Sequence, residues 1–137
     1  GGHITGMMLA TDWAATDGLP ENAIKGVTGI SGLYDLEPIR LSKVNEPLRL
    51  LEASADRNSP VKLPLPIEPP ATLLAFGGLE SDEYGRQGAA YRDVLRKAGG
   101  EPVTLKVEGH HHFSILDAFG NPKHRLGRAV LEQLGLA

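Results

Sequence analysis

The chain has 137 residues, of which 41% are hydrophobic and 23% charged, a composition typical of one globular domain or of part of a larger one. The net charge of −3 argues against a nucleic acid or an anionic membrane as partner, and no apolar stretch approaches the roughly 18 residues of a membrane span. The chain contains no cysteine, which excludes disulfides, thiolate catalysis and cysteine-ligated zinc, and we expect a cytoplasmic protein.

The first half of the chain predicts a helix, a strand and an irregular helical region. Apolar residues recur at helical spacing over residues 3–15, which predicts a helix. Residues 24–31 are β-branched and interrupted by glycine, which predicts a short buried strand ending at Ser31. An irregular helical excursion is predicted over residues 34–55, and residues 60–70 hold five of the ten prolines, which indicates a loop.

The second half predicts two strands and two helices. Residues 72–76 are apolar without alternation, as expected of a strand covered on both faces. A helix is predicted between Ser81 and Gly99, and residues 103–107 then alternate between apolar and polar, which predicts a strand at the edge of a sheet. Apolar residues at helical spacing from 126 to 134 predict a closing helix.

The predicted order is therefore helix, strand, helical excursion, strand, helix, strand, helix. This is an α/β pattern, in which parallel strands are joined by right-handed crossovers. Three strands, one of them buried on both faces, make a poor free-standing domain. We therefore expect the chain to be part of a longer one.

Two ionisable residues follow neighbouring strands of this pattern. Glu80 comes four residues after the strand at 72–76, and His112 comes five residues after the strand at 103–107. Open α/β sheets place their sites at the carboxyl ends of the strands, and an acid loop followed by a histidine loop is the second half of the order nucleophile, acid, histidine. In that chemistry the imidazole takes a proton from a serine hydroxyl, and the carboxylate holds the imidazole in one tautomer.

Several short motifs support this interpretation by their order: Gly1-Gly2-His3, residues 30–36, Asn45, Ser59-Pro60, residues 80–87 and His112-Phe113. Together they resemble α/β-hydrolase esterases of the group that includes the arylformamidases, or kynurenine formamidases. The first motif resembles the tail of their Gly-x-Ser-Ala-Gly-Gly-His elbow, and the last resembles the His-Phe pair that carries the catalytic imidazole. The resemblance covers nearly the whole chain.

The resemblance implies that residues 1–137 are the carboxyl-terminal part of a single α/β-hydrolase domain. The nucleophilic serine would lie two positions before Gly1, and the oxyanion loop and earlier strands further upstream. The implied enzyme is a serine hydrolase, a carboxylesterase or arylformamidase-like amidase that cleaves small acyl esters or formamides through an acyl-enzyme. His112 would act as general base and then as acid, and Glu80 would orient it. This chemistry needs no metal or organic cofactor.

The same resemblance implies what the chain needs from elsewhere. Its partners would be the amino-terminal half of the same protein and a small-molecule substrate, and we expect the chain alone to be inactive. The resemblance leaves three questions open: whether the protein forms a homodimer, how large an acyl group it accepts, and whether it prefers esters or amides.

The site residues have alternatives. The acid position holds Glu80 rather than the commoner aspartate, and Asp82 is the substitute candidate. His110 and His111 are interpreted as packing or solvent-facing residues, and a metal role for the histidine run is disfavoured because three successive side chains diverge. The rival hypothesis for the whole chain is a non-catalytic α/β module that binds a ligand or a partner at its strand ends.

Overall fold

The computed structural model describes residues 1–137, apart from the side chain of Asp17. Its three strands, β1 (Gly26–Ile30), β2 (Ala71–Gly77) and β3 (Val103–Val107), form one sheet in the order β1-β2-β3. Both pairings are parallel, with Ile30 beside Ala75 and Gly77 beside Val107. The predicted parallel α/β sheet is confirmed.

Helices precede β1, occupy both connections between the strands and follow β3. Two precede β1, three short ones and a 3-10 turn lie between β1 and β2, one joins β2 to β3, and two follow β3. They are α1 (Gly2–Leu9), α2 (Trp13–Asp17), α3 (Glu37–Arg40), α4 (Asn45–Leu48), α5 (Glu52–Arg57), the 3-10 helix Pro60–Lys62, α6 (Asp82–Lys97), α7 (Ile115–Gly120) and α8 (Arg125–Gln133). None of the helices in the described part of the chain combines the length and the apolar character needed to cross a membrane.

The prediction of one continuous helix over residues 3–15 is wrong. The chain forms α1 and α2 instead, separated by an extended Asp12 whose carboxylate accepts a hydrogen bond of 2.9 Å from the Ala15 N–H. An aspartate side chain offers the backbone a local partner of this kind and so starts a new helix where periodicity alone predicts continuation. The Trp13 indole N–H donates to the Met8 carbonyl at 3.0 Å and ties the second helix to the first.

The core lies on both faces of the sheet because successive residues of β2 point to opposite sides. Leu73 and Ala75 pack on one face, in a cluster with Leu105, Val107, Ile115, Ala118 and Leu126. Leu74 packs on the other, in a cluster with Leu9, Val27, Tyr34, Tyr91 and Leu95. The predicted burial of β2 on both faces is thus confirmed, and a central strand held in this way gives its carboxyl end a rigid base.

Candidate active site

The carboxyl ends of the three parallel strands lie side by side and bring three loops together. Ser31 follows β1, Glu80 follows β2, and the histidine run follows β3. Two backbone hydrogen bonds join the last two loops: the Gly78 N–H donates to the Val107 carbonyl at 2.8 Å, and the Leu79 N–H to the His110 carbonyl at 3.0 Å. The acid loop and the histidine loop are therefore attached to each other by the main chain.

Glu80 and His112 meet at this edge of the sheet. His112 Nδ1 lies 2.6 Å from Glu80 Oε1. The Glu80 side chain is only 2% exposed, whereas that of His112 is 50% exposed. Because a carboxylate oxygen accepts hydrogen bonds and does not donate them, Nδ1 carries the proton, and the lone pair of the imidazole is then on Nε2. A buried acid that holds an exposed imidazole in this tautomer prepares it to accept a proton from another group.

The neighbouring histidines have other partners. The ring of His110 donates from Nδ1 to the Ser114 carbonyl at 2.8 Å. The ring of His111 accepts from the N–H groups of Phe113 and Ser114 at 3.2 and 3.3 Å, within its own turn. The three side chains diverge, as predicted, and His112 is the one of the run that contacts the Glu80 carboxylate. Asp82, the substitute candidate, is an exposed residue in the first turn of α6.

The second oxygen of Glu80 is held by two donors. Glu80 Oε2 accepts from the Gly77 N–H at 2.6 Å and from the Ser31 hydroxyl at 2.7 Å. Ser31 is a site residue that the sequence predicts only as the end of a strand and as part of the motif at residues 30–36, without a role at the site. A serine at the end of β1, next to the loop that follows β2, is the one signal that could have identified it, because neighbouring parallel strands end at the same edge.

The imidazole of His112 is flanked by two aromatic rings. The centroid of the Tyr84 ring lies 5.5 Å from that of His112, and the Phe113 ring lies edge-on to the imidazole at the same distance. Burial, together with the Glu80 carboxylate, raises the pKa of the Tyr84 phenol, so that Tyr84 stays uncharged beside the imidazole. These rings limit the orientations open to the imidazole.

His112 lines a cleft of about 590 Å³. The cleft runs from the start of the chain at Gly1 along one face of β1, at Gly26, Thr28 and Ile30, to α7 and α8. It is bordered by Ser31, Phe113 and Leu116. Gly1 and His112 therefore lie on the same cleft.

Among the described side chains, no group of three or more histidine, cysteine, aspartate or glutamate residues is arranged to hold a metal ion. The contact between His112 and Glu80 provides an oriented imidazole. Such a group moves protons, and it activates a hydroxyl when one is placed beside it.

Comparisons with known proteins place this geometry in context. No family model matches the chain. The chain is 33% identical over 139 residues to the kynurenine formamidase of Danio rerio, an alignment that covers 98% of this chain and 47% of that protein. The chain thus spans about half the length of the curated relative it matches.

Solved structures share the fold. A candidate thioesterase from Silicibacter sp. TM1040 superposes with a TM-score of 0.72 at 24% identity, over 92% of this chain and 45% of that one. Esterase 2 of Thermogutta terrifontis, phosphoramylated by tabun, superposes with a TM-score of 0.59 at 17% identity, over 98% of this chain and 49% of that one. The arrangement of three parallel strands with flanking helices is part of the α/β-hydrolase fold. The resemblance to the arylformamidase group is confirmed.

Proposed function

We propose that this chain is part of a serine hydrolase that cleaves small acyl esters or formamides. The chain is similar to a kynurenine formamidase, and its strands and helices form part of an α/β-hydrolase fold. The observation that carries the proposal is the contact of 2.6 Å between the exposed His112 imidazole and the buried Glu80 carboxylate. The nucleophilic serine lies upstream of Gly1, in the elbow that the Gly1-Gly2-His3 motif resembles.

In this mechanism His112 Nε2 accepts the proton of the serine hydroxyl as the oxygen attacks the substrate carbonyl. The imidazolium that forms is stabilised by the Glu80 carboxylate, whose other oxygen accepts hydrogen bonds from the Ser31 hydroxyl and the Gly77 N–H. His112 then gives the proton to the leaving alcohol or amine, which leaves an acyl-enzyme. A water molecule hydrolyses the acyl-enzyme by the same proton transfers in reverse order.

The test uses the protein that carries this chain together with its upstream serine. His112→Ala is expected to lower kcat for a short activated ester by about a thousandfold or more, because the serine loses its base. His111→Ala is the matched control, since the His111 ring bonds only within its own turn among the described contacts. Loss of activity in His111→Ala with retention in His112→Ala would contradict the assignment.

The same assay tests the class of substrate. Acetyl and formyl esters and aryl formamides are expected to be cleaved with a higher kcat/KM than a palmitoyl ester, as the relation to a kynurenine formamidase supports. A measured optimum at long acyl chains would contradict this part of the proposal while leaving the roles of His112 and Glu80 in place.

A further inference from the structure

We propose that Ser31 is a positioning residue that orients the Glu80 carboxylate toward His112, an inference that rests on the proposed hydrolase function. Ser31 lies one residue beyond β1, and its N–H donates to the Ala75 carbonyl at 2.7 Å. The sheet therefore continues through its backbone nitrogen. This fixes the place of the residue before its side chain makes any contact.

The backbone of Ser31 has a conformation that serine seldom adopts. Its φ is +49°, in the left-handed region where residues other than glycine, asparagine and aspartate are uncommon. Glycine would take this conformation without strain. Serine is thus an unfavourable residue for the turn itself. We infer that it occupies this position because of the contact that its side chain makes.

That contact is with the acid of the site. Ser31 Oγ donates to Glu80 Oε2 at 2.7 Å, and Ser31 is 8% exposed while the Glu80 side chain is 2% exposed. A hydrogen bond to a buried carboxylate is stronger than one between neutral groups. With Ser31 and the Gly77 N–H on one oxygen, the other oxygen faces His112 in a fixed plane.

Glutamate needs such a constraint more than aspartate would. Its additional methylene adds a rotatable bond between backbone and carboxylate, and an unconstrained side chain would spread over several rotamers. The two donors on Oε2 select one of them. Ser31 therefore offsets the freedom that comes with glutamate in the acid position.

The turn at Ser31 also fixes the position of Glu80 relative to the start of α1. The next residue, Gly32, passes so close to Gly2 that a Cβ at Gly2 would lie 2.5 Å from the Gly32 Cα. One turn thus contacts the first residues of α1 on one side and Glu80 on the other. A serine placed just before α1 would be held relative to Glu80 through this turn.

Two substitutions separate the hydroxyl from the backbone strain. Ser31→Gly removes the hydroxyl and relieves the positive φ, whereas Ser31→Ala removes the hydroxyl and keeps the strain. In the protein that carries the upstream serine, both are expected to lower kcat by about ten- to a hundredfold, the size of effect that misplacement of a catalytic group produces. KM for a short activated ester is expected to stay within about twofold, because the Ser31 hydroxyl donates its hydrogen to Glu80 rather than to a group in the cleft.

A double-mutant cycle shows whether Ser31 acts through Glu80. In a Glu80→Ala background, Ser31→Gly is expected to cause no further loss of kcat, because the group it orients is gone. An equal loss in both backgrounds would show an independent role and would overturn the inference. So would a large difference in kcat between Ser31→Gly and Ser31→Ala, since the loss would then follow backbone strain.

Ser59 provides the matched control. It is a fully buried serine whose hydroxyl donates to the Ala55 carbonyl and accepts from the Leu36 N–H, within the connection between β1 and β2. Ser59→Ala is expected to lower the melting temperature and to leave kcat of the folded protein unchanged. Wild-type kcat in Ser31→Gly, with Glu80→Ala inactive, would overturn this inference alone, whereas wild-type kcat in Glu80→Ala would overturn the proposed role of Glu80 as well.

Discussion

At the scale of single residues, the site depends on a glycine that lets two loops touch. A Cβ at Gly77 would lie 2.3 Å from the carbonyl oxygen of His110, a distance that no pair of non-bonded atoms tolerates. The obstructing atom is backbone, so it cannot move aside as a flexible side chain would. The Gly77 N–H also donates to Glu80 Oε2. The absence of a side chain at Gly77 therefore sets the separation between the acid loop and the histidine loop.

Gly77→Ala is expected to lower the free energy of unfolding by about 1 to 3 kcal/mol, the usual cost of overpacking, and to lower kcat because it separates Glu80 from His112. Chemical denaturation and ester hydrolysis measure the two effects. Gly88→Ala is the control, because a Cβ there would meet no other described heavy atom within 4 Å beyond its own helix. We expect Gly88→Ala to raise stability by about 0.5 to 1 kcal/mol. Wild-type kcat in Gly77→Ala would contradict the role given to this contact.

The residues at the carboxyl ends of β2 and β3 were predictable because strand order alone brings them together. The contact between Glu80 and His112 could be predicted in this way, from their places after two predicted strands. Ser31 was not found as a contact of Glu80, because its role depends on a positive φ and on a side-chain contact across 49 residues. Local pattern carries no information on such a contact.

At the scale of elements, α6 fixes the loop that follows β1. Gln87 of α6 is fully buried, and its side-chain oxygen accepts from the N–H groups of Tyr34 and Asp35 at 2.6 and 2.8 Å. Its amide nitrogen donates to Glu83 at 2.8 Å. A hydrogen bond from Arg86 lowers the pKa of Glu83 and keeps it an ionised acceptor. One buried amide thus connects α6 to the segment that begins at Ser31.

Gln87→Leu is expected to lower the free energy of unfolding by about 2 to 5 kcal/mol, because it leaves one buried and one partly buried backbone N–H group without a partner. Urea denaturation measures this loss. Arg86→Ala on the same helix is the control: its side chain is 50% exposed, and surface ion pairs contribute at most about 1 kcal/mol. An equal effect of the two substitutions would show that Gln87 does not anchor the loop.

Several residues of the motifs that resemble the arylformamidase group stabilise the connection between β1 and β2. The Asn45 side chain bonds both the N–H and the carbonyl of Leu50, and Ser59 bridges Ala55 and Leu36. The motifs identified the group without revealing these structural roles. Helix boundaries were also less predictable than the elements themselves, as the interruption at Asp12 shows, because a capping side chain competes with helical periodicity.

At the scale of the whole molecule, β1 and β2 differ in how far the helices cover them. Both faces of β2 are covered by helices, while one face of β1 borders the cleft that contains Gly1 and His112. Phe113, Leu116 and Phe119 stand beside this cleft with 76%, 56% and 41% of their surfaces exposed. Alternation and apolar runs predicted which strands are buried, whereas the shape of the cleft follows from packing that no local pattern encodes.

The last prediction concerns this chain on its own. Residues 1–137 orient an imidazole, but in the proposed function the serine that it activates lies upstream of Gly1. The chain alone is therefore expected to hydrolyse a short activated ester far more slowly than the protein that carries the upstream serine.

The exposed apolar side chains beside the cleft are expected to bind a hydrophobic dye such as anilinonaphthalene sulfonate, because exposed patches of this kind associate with apolar ligands. Co-expression with the upstream part is expected to restore turnover and to reduce dye binding, and His112→Ala in the co-expressed pair is the control that should abolish the restored activity. Full activity of the chain alone, lost in His112→Ala, would show that a nucleophile lies within residues 1–137 and would refute the upstream assignment.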